Sequence, residues 1–258
     1  MKILKFFLFL FTIILFFITT SILYPFLFTC PHATRKLLTR QVSFYSRIML
    51  RVLGIKISFK GEFQEENALI VCNHLSYLDV LVLSSLRSTA FVTSKEIKAT
   101  PFLGEIVKLA GCLFVDRKKR SNLRGEISEL KEGLLNGLSI TVFPEATSTN
   151  GDEVLRFKRP LFEAAREAGK PILPLTINYL SISGEKVSVS NRDLVCWYGE
   201  MDFFPHFLKL LEQREITVQV ISGEMIPSEK DILELAAHSH HIVSESYIPL
   251  NPMRSVSA

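Results

Sequence analysis

From Phe6 to Phe28 the chain runs for 23 residues without a charged side chain. A helix that is apolar all round belongs in a membrane or deep inside a large protein. At ~1.5 Å per residue this one would be about 35 Å long, enough for a bilayer core of ~30 Å. A cleaved signal peptide is the competing reading, because Met1-Lys2-Ile3-Leu4-Lys5 has the form of a basic leader. The run exceeds the ~7–15 residues of a leader's apolar region and no small-x-small site follows it, which favours a retained anchor. Lys2 and Lys5 precede the run, and Arg35, Lys36, Arg40 and Arg47 follow it. The positive-inside rule then favours a cytoplasmic position for the remainder. Basic flanks on both sides also suit a segment that dips into one leaflet and returns, and Pro25 and Pro31 permit a break.

Residues 1–61 hold nine Lys/Arg and no Asp or Glu, while the remainder holds 21 basic and 26 acidic residues. A basic zone beside an apolar segment points to anionic lipid headgroups as partners. A mildly acidic remainder argues against nucleic acid. From Ala33 to Leu53 an amphipathic helix is expected. Lys36, Arg40, Arg47 and Arg51 fall on one stripe, and Leu37, Leu38, Val42, Tyr45, Ile48, Met49, Val52 and Leu53 fall on the other. This suits a helix lying in a membrane interface, and equally a helix packed on its own domain with a solvated basic face. Residues 1–53 therefore read as anchor and interfacial helix, and 54–258 as one catalytic domain.

Beyond residue 54 the pattern alternates. Strands are expected at Ile55–Phe59, Ala68–Cys72, Ala90–Thr93, Leu113–Asp116, Ser139–Phe143, Ile172–Ile177, Leu194–Tyr198 and Ile216–Ile221. Helices are expected at Leu78–Leu86, Glu96–Leu109, Asn122–Leu135 and Leu161–Ala168, with a last one from Ser228 through the 230s. Such alternation gives an α/β fold, with a mixed, largely parallel sheet flanked by helices. Cys30, Cys72, Cys112 and Cys196 are widely spaced with no CxxC pair, so neither a disulfide framework nor a zinc site is implied. His238, His240 and His241 have no neighbouring ligand pattern, and no metal is expected.

Asn73-His74 falls at the end of the Ala68–Cys72 strand, where open α/β sheets place active groups. Ser76 and Asp79 have the spacing of a capping box, putting Asp79 in a first helical turn. From there its carboxylate can return to the His74 ring, fix the tautomer and leave the other nitrogen basic.

Four ordered blocks extend this pair. They are Asn73-His74-x4-Asp79, then Gly111-Cys112-Leu113-Phe114-Val115-Asp116-Arg117, then Phe143-Pro144-Glu145-Ala146-Thr147-Ser148, and then Lys170-Pro171-Ile172-Leu173-Pro174-Leu175. Between the first two stand Ser94-Lys95-Glu96, Pro101 and Gly104. In these blocks the chain resembles the bacterial glycerolipid acyltransferases typified by 1-acylglycerol-3-phosphate acyltransferase. The resemblance implies His74 as general base oriented by Asp79, with a lysolipid hydroxyl attacking the thioester of acyl-CoA or acyl carrier protein. It implies no bound cofactor beyond that co-substrate and no covalent acyl-enzyme. It places Arg117 on the acceptor's phosphate, and Glu145, Thr147, Gly111 and Phe114 in substrate binding. Its implied location is the bacterial inner membrane, with the catalytic domain on the cytoplasmic face. The expected acceptor is 1-acylglycerol-3-phosphate, with lyso-ornithine lipid or another lysophospholipid as alternatives.

Two positions depart from the family. Ala146 stands where glycine is common, excluding backbone conformations open only to glycine. Ser148 stands where many members have arginine, and Lys158 or Arg159 could supply the missing cation. No G-x-S-x-G elbow, P-loop or G-x-G-x-x-G occurs, so a serine hydrolase or nucleotide-binding enzyme is not indicated. A non-catalytic membrane-tethered binding protein is the rival of another class.

Overall fold

The computed structural model describes residues 2–63, 67–100, 103–116 and 122–251. A long apolar helix α1 (Lys2–Leu23) runs through a 3-10 turn, Tyr24–Phe28, into α2 (Pro31–Leu53). The next elements are β1 (Ile55–Lys60), β2 (Leu69–Cys72), α3 (Leu78–Leu86), β3 (Ala90–Ser94), α4 (Lys95–Ala99), α5 (Leu103–Leu109), β4 (Leu113–Val115), α6 (Leu123–Leu135) and β5 (Ile140–Val142). The chain ends with α7 (Phe162–Ala168), β6 (Ile172–Ile182), β7 (Glu185–Lys186), α8 (Phe203–Glu212), β8 (Ile216–Ser222) and α9 (Ile232–Ser246).

The eight strands form one sheet in the order β1-β8-β6-β2-β5-β3-β4, with β7 paired to β6. All pairs are parallel except β6 with β8 and β6 with β7. The expected mixed, largely parallel sheet flanked by helices is present. β2 and β5 are buried along their whole length, which is why they read as unbroken apolar runs rather than as alternation. β2, β3, β4 and β5 point the same way, so the loops after them open on one edge of the sheet.

Four expectations need correction. Leu194–Tyr198 is not a strand. Arg192–Leu194 forms a 3-10 turn, the Cys196 N–H turns back to the Arg192 carbonyl, and the Trp197 N–H bonds the Leu75 carbonyl. The segment is apolar because it is buried behind the His74 turn, not because it joins a ladder. The helix expected at Glu96–Leu109 is two helices. Thr100, which precedes Pro101, is extended and ends α4, as the residue before proline must tend to do. α8 was not anticipated, although Pro205 in its first turn is compatible with a helix. The last helix begins at Ile232 and runs on to Ser246.

The apolar helix α1 and α2 form an antiparallel pair. The Lys5 ammonium donates to the Leu53 and Gln213 carbonyls, both at 2.7 Å. Further along, the Phe9 ring lies 4.4 Å from that of Phe207, and the Thr19 and Tyr45 hydroxyls are 3.0 Å apart. α1 thus packs lengthwise against α2 and the α/β domain. Its other face leaves Phe7, Phe11 and Ile18 more than half exposed. That exposed apolar face, on the one helix among the described residues long and apolar enough to cross a bilayer, suits membrane association.

Candidate active site

β2 stops between β5 and β6, and its last residue delivers the chain to the edge where the other parallel strands end. Asn73 fixes the exit. Its side-chain amide donates to the Ile177 carbonyl at 3.0 Å, and its oxygen accepts the Ile177 N–H at 2.8 Å. The buried side chain thus extends the β2–β6 ladder and sets where His74 begins.

His74 and Asp79 meet as expected, with Nδ1 to Oδ2 at 2.9 Å. Oδ2 also accepts the Leu75 N–H at 2.7 Å and the Ser76 N–H at 2.9 Å. Oδ1 accepts the Tyr179 hydroxyl at 2.7 Å. Asp79 is fully buried, while the His74 side chain is 21% exposed. An anionic carboxylate only accepts, so Nδ1 carries the proton and Nε2 is left as the acceptor. Only half of the capping box forms. The carboxylate takes the Ser76 N–H, but the Ser76 hydroxyl makes no cap bond and is buried without a partner among the described residues. The His74 ring stacks on Phe143, with centroids 4.0 Å apart and planes 12° from parallel.

Phe143 lines a cavity of about 350 Å³ with Val115, Leu123, Pro144, Ala146 and Lys158. The Lys158 side chain is exposed at its rim, and the Lys158 N–H is tied to the Pro144 carbonyl at 2.9 Å. Behind Phe143 lies Phe91, centroids 6.1 Å apart. Phe91 belongs to a second, apolar cavity of about 120 Å³ among α1, α2, α3 and α5, with Phe16, Val42, Met49 and Val107.

The other expected residues divide. Glu145 is buried, with Oε1 accepting the His74 N–H at 2.7 Å and Oε2 the Leu155 N–H at 2.8 Å. Burial pushes its carboxyl up to about 8, against the pull of those two N–H groups, with the Asp79 charge adding to the rise. It braces the His74 turn against the loop that carries Lys158, and both oxygens face backbone. Thr147 is exposed, and its hydroxyl donates to the Ser148 carbonyl at 3.3 Å. Gly111 and Phe114 line a different cavity of about 650 Å³ with Arg35, Lys95, Lys98 and Lys108. There the Lys98 ammonium sits 4.5 Å over the Phe114 ring. Arg117 and Pro101 lie outside the described residues.

Tyr179 was missed, because the strand expected at Ile172–Ile177 runs on to Ile182 and carries it. Its signal was position alone, two residues beyond the Ile177 that Asn73 holds. Neither Cys72 nor Cys112 is poised as a nucleophile: burial raises Cys72, beside the pair, well above the usual thiol range, and raises Cys112 to about 12. No group of three or more His, Cys, Asp or Glu among the described residues could hold a metal.

Ala146 keeps the backbone that glycine would adopt, with φ of 61°. A left-handed alanine costs roughly 1–2 kcal/mol. Replacing it with glycine returns about 0.4–1 kcal/mol of that through the freer unfolded chain. Ala146→Gly should therefore raise stability by roughly half a kcal/mol to 1 kcal/mol, seen as a higher Tm by calorimetry. A lowered Tm would mean that the methyl group's packing outweighs the strain.

A family model described as Acyltransferase matches residues 54–178. A lyso-ornithine lipid O-acyltransferase of Brucella abortus (strain 2308) is 33% identical over 207 residues, covering 76% of this chain and 78% of the relative. A second lyso-ornithine lipid O-acyltransferase, from Rhizobium meliloti (strain 1021), is 28% identical over 72% of this chain and 66% of the relative. A 1-acyl-sn-glycerol-3-phosphate acyltransferase of Neisseria gonorrhoeae is 25% identical over 65% of this chain and 64% of its own length. In three dimensions the fold matches the crystal structure of the 1-acyl-sn-glycerophosphate acyltransferase PlsC from Thermotoga maritima. The TM-score is 0.61 at 18% identity, over 89% of this chain and 93% of that one.

Proposed function

The chain belongs to the acyltransferase family, and on that premise we propose that His74 is the general base that moves a fatty acyl group from a thioester onto a lysolipid hydroxyl. The observation that supports this most is the 2.9 Å bond from the His74 Nδ1 to a fully buried Asp79. The lysolipid hydroxyl gives its proton to Nε2 as its oxygen attacks the thioester carbonyl. The tetrahedral intermediate then collapses, the C–S bond breaks, and the imidazolium returns the proton to the departing sulfur. Direct transfer fits the site, since Cys72 is held as a buried thiol and the Ser76 hydroxyl is buried. Acyl-CoA and acyl carrier protein both meet the chemistry asked of the donor. The apolar cavity at Phe91 suits its hydrocarbon chain.

The acceptor's polar head is read onto the Phe143–Lys158 cavity. Arg117 and Thr147 retain only the assignment that family resemblance gives them. Ser148 removes one cation from that neighbourhood, which weakens the case for a phosphomonoester such as 1-acylglycerol-3-phosphate. The 33% identity to a relative named for lyso-ornithine lipid supports that acceptor instead. The discriminating experiment is an acylation assay on a lysolipid panel with both donors. Turnover should be highest with lyso-ornithine lipid, and His74→Ala should lower kcat by at least about a hundred-fold. Lys158→Ala should raise the acceptor KM and leave the donor KM alone. Full acylation by His74→Ala would end the enzymatic reading, and an unchanged acceptor KM would remove Lys158 from the site.

The same reading places the α1–α2 pair in one leaflet on the cytoplasmic face of a bacterial inner membrane, its basic residues toward anionic headgroups. Support comes from the lengthwise packing of α1 on the domain and from the exposed apolar face opposite. Cys30, the one exposed cysteine, lies between the two helices. A membrane-impermeant maleimide should label it in inverted vesicles and not in spheroplasts. Labelling in spheroplasts alone would put the α1–α2 turn across the bilayer.

A further inference from the structure

We infer that Tyr179 is a positioning residue of the acyl-transfer site, locking the plane of the Asp79 carboxylate and through it the His74 ring. The inference rests on the reading of His74 as base. The carboxylate has two differently held oxygens. Oδ2 is held locally, by His74, Leu75 and Ser76, all within five residues of Asp79. Among the described residues Oδ1 accepts from the Tyr179 hydroxyl, at 2.7 Å, which reaches it from β6, 100 residues along the chain.

The torsion that sets a carboxylate's plane is soft and roughly two-fold. Three donors converging on one oxygen fix that atom but leave the group free to pivot about it. A donor on the second oxygen stops the pivot. Charge-assisted hydrogen bonds of this kind are short and strong, and an unpaired oxygen on a fully buried carboxylate is costly.

The strand is built to deliver the hydroxyl there. Asn73 bonds both backbone groups of Ile177, so the register of β6 against the His74 turn is fixed two residues before Tyr179, on the same strand face. Immediately after it the β6–β8 pairing shifts register between Tyr179 and Ser181, and such irregularities re-aim side chains beside functional sites. The ring is 3% exposed. Burial first, and the Asp79 charge second, push the phenol well above its usual range, so it remains a donor.

Tyr179→Phe keeps the ring and removes only the oxygen. Measured per folded enzyme, with folding checked by thermal melts, kcat should fall about ten-fold while the KM of donor and acceptor stays within about two-fold. 3-Fluorotyrosine at 179, which keeps the O–H, should retain wild-type kcat. The decisive arm is a double-mutant cycle. In a His74→Ala background, Tyr179→Phe should cause no further loss, because its effect passes through the ring now absent. An equal loss in both backgrounds, or an unchanged kcat in the single variant, would overturn the positioning role. Full activity of His74→Ala alone would instead refute the assignment of the base, which is a separate failure.

Discussion

The Asp79 carboxylate is fully buried at the end of the sheet's central strands, surrounded by four donors: one imidazole N–H, two backbone N–H groups and one phenol. A buried charge is tolerable only when its hydrogen-bonding capacity is met, since an unpaired one costs several kcal/mol. The turn from His74 to Ser76 is therefore shaped around the anion. Asn73 fixes where the turn leaves β2, Glu145 holds the His74 amide from the far side, and the anion gathers the remaining N–H groups. Catalytic geometry and local folding are the same constraint here. The His74 ring, proposed as the base, is held through Nδ1 by the same carboxylate oxygen that takes the two backbone N–H groups.

Much of this was legible in the sequence, and the reasons differ by element. β2 and β5 were readable because full burial leaves continuous apolar runs, and the His74–Asp79 spacing was readable because the helix that follows β2 fixes how far a carboxylate can reach back. What was not legible depends on contacts distant in sequence. Tyr179 reads as one more core aromatic until β6 is placed beside β2. Val195-Cys196 reads as strand because burial, not pairing, selected its apolar residues. Glu145 was expected at the acceptor, yet both of its oxygens serve backbone amides, a role that no linear pattern distinguishes from substrate binding. α8 went unseen because a proline near its start hides the helical signal.

The two departures in the third block have different physical weight. Ala146 takes a left-handed backbone at a modest cost in strain, so the loop after β5 makes this turn without a glycine. Ser148 changes the charge of the site instead. Among the described residues that line the cavity beside Phe143, Lys158 carries a cation and Asp116 and Glu126 carry carboxylates. The basic residues Arg35, Lys95, Lys98 and Lys108 gather at an adjoining cavity beside the α1–α2 pair, which shares Glu126 with the first, and Glu129, Glu126 and Glu105 offset them.

An anionic Asp79 that accepts on both oxygens fixes the tautomer of the proposed base. Asp79→Asn tests it most directly. The replacement has nearly the same shape, but its amide nitrogen cannot accept from the donors that now surround the carboxylate. The variant should fold, with its kcat for thioester-dependent acylation lowered by about a thousand-fold or more and its KM values little changed. Retention of kcat within about ten-fold, in a variant shown to be folded, would contradict it.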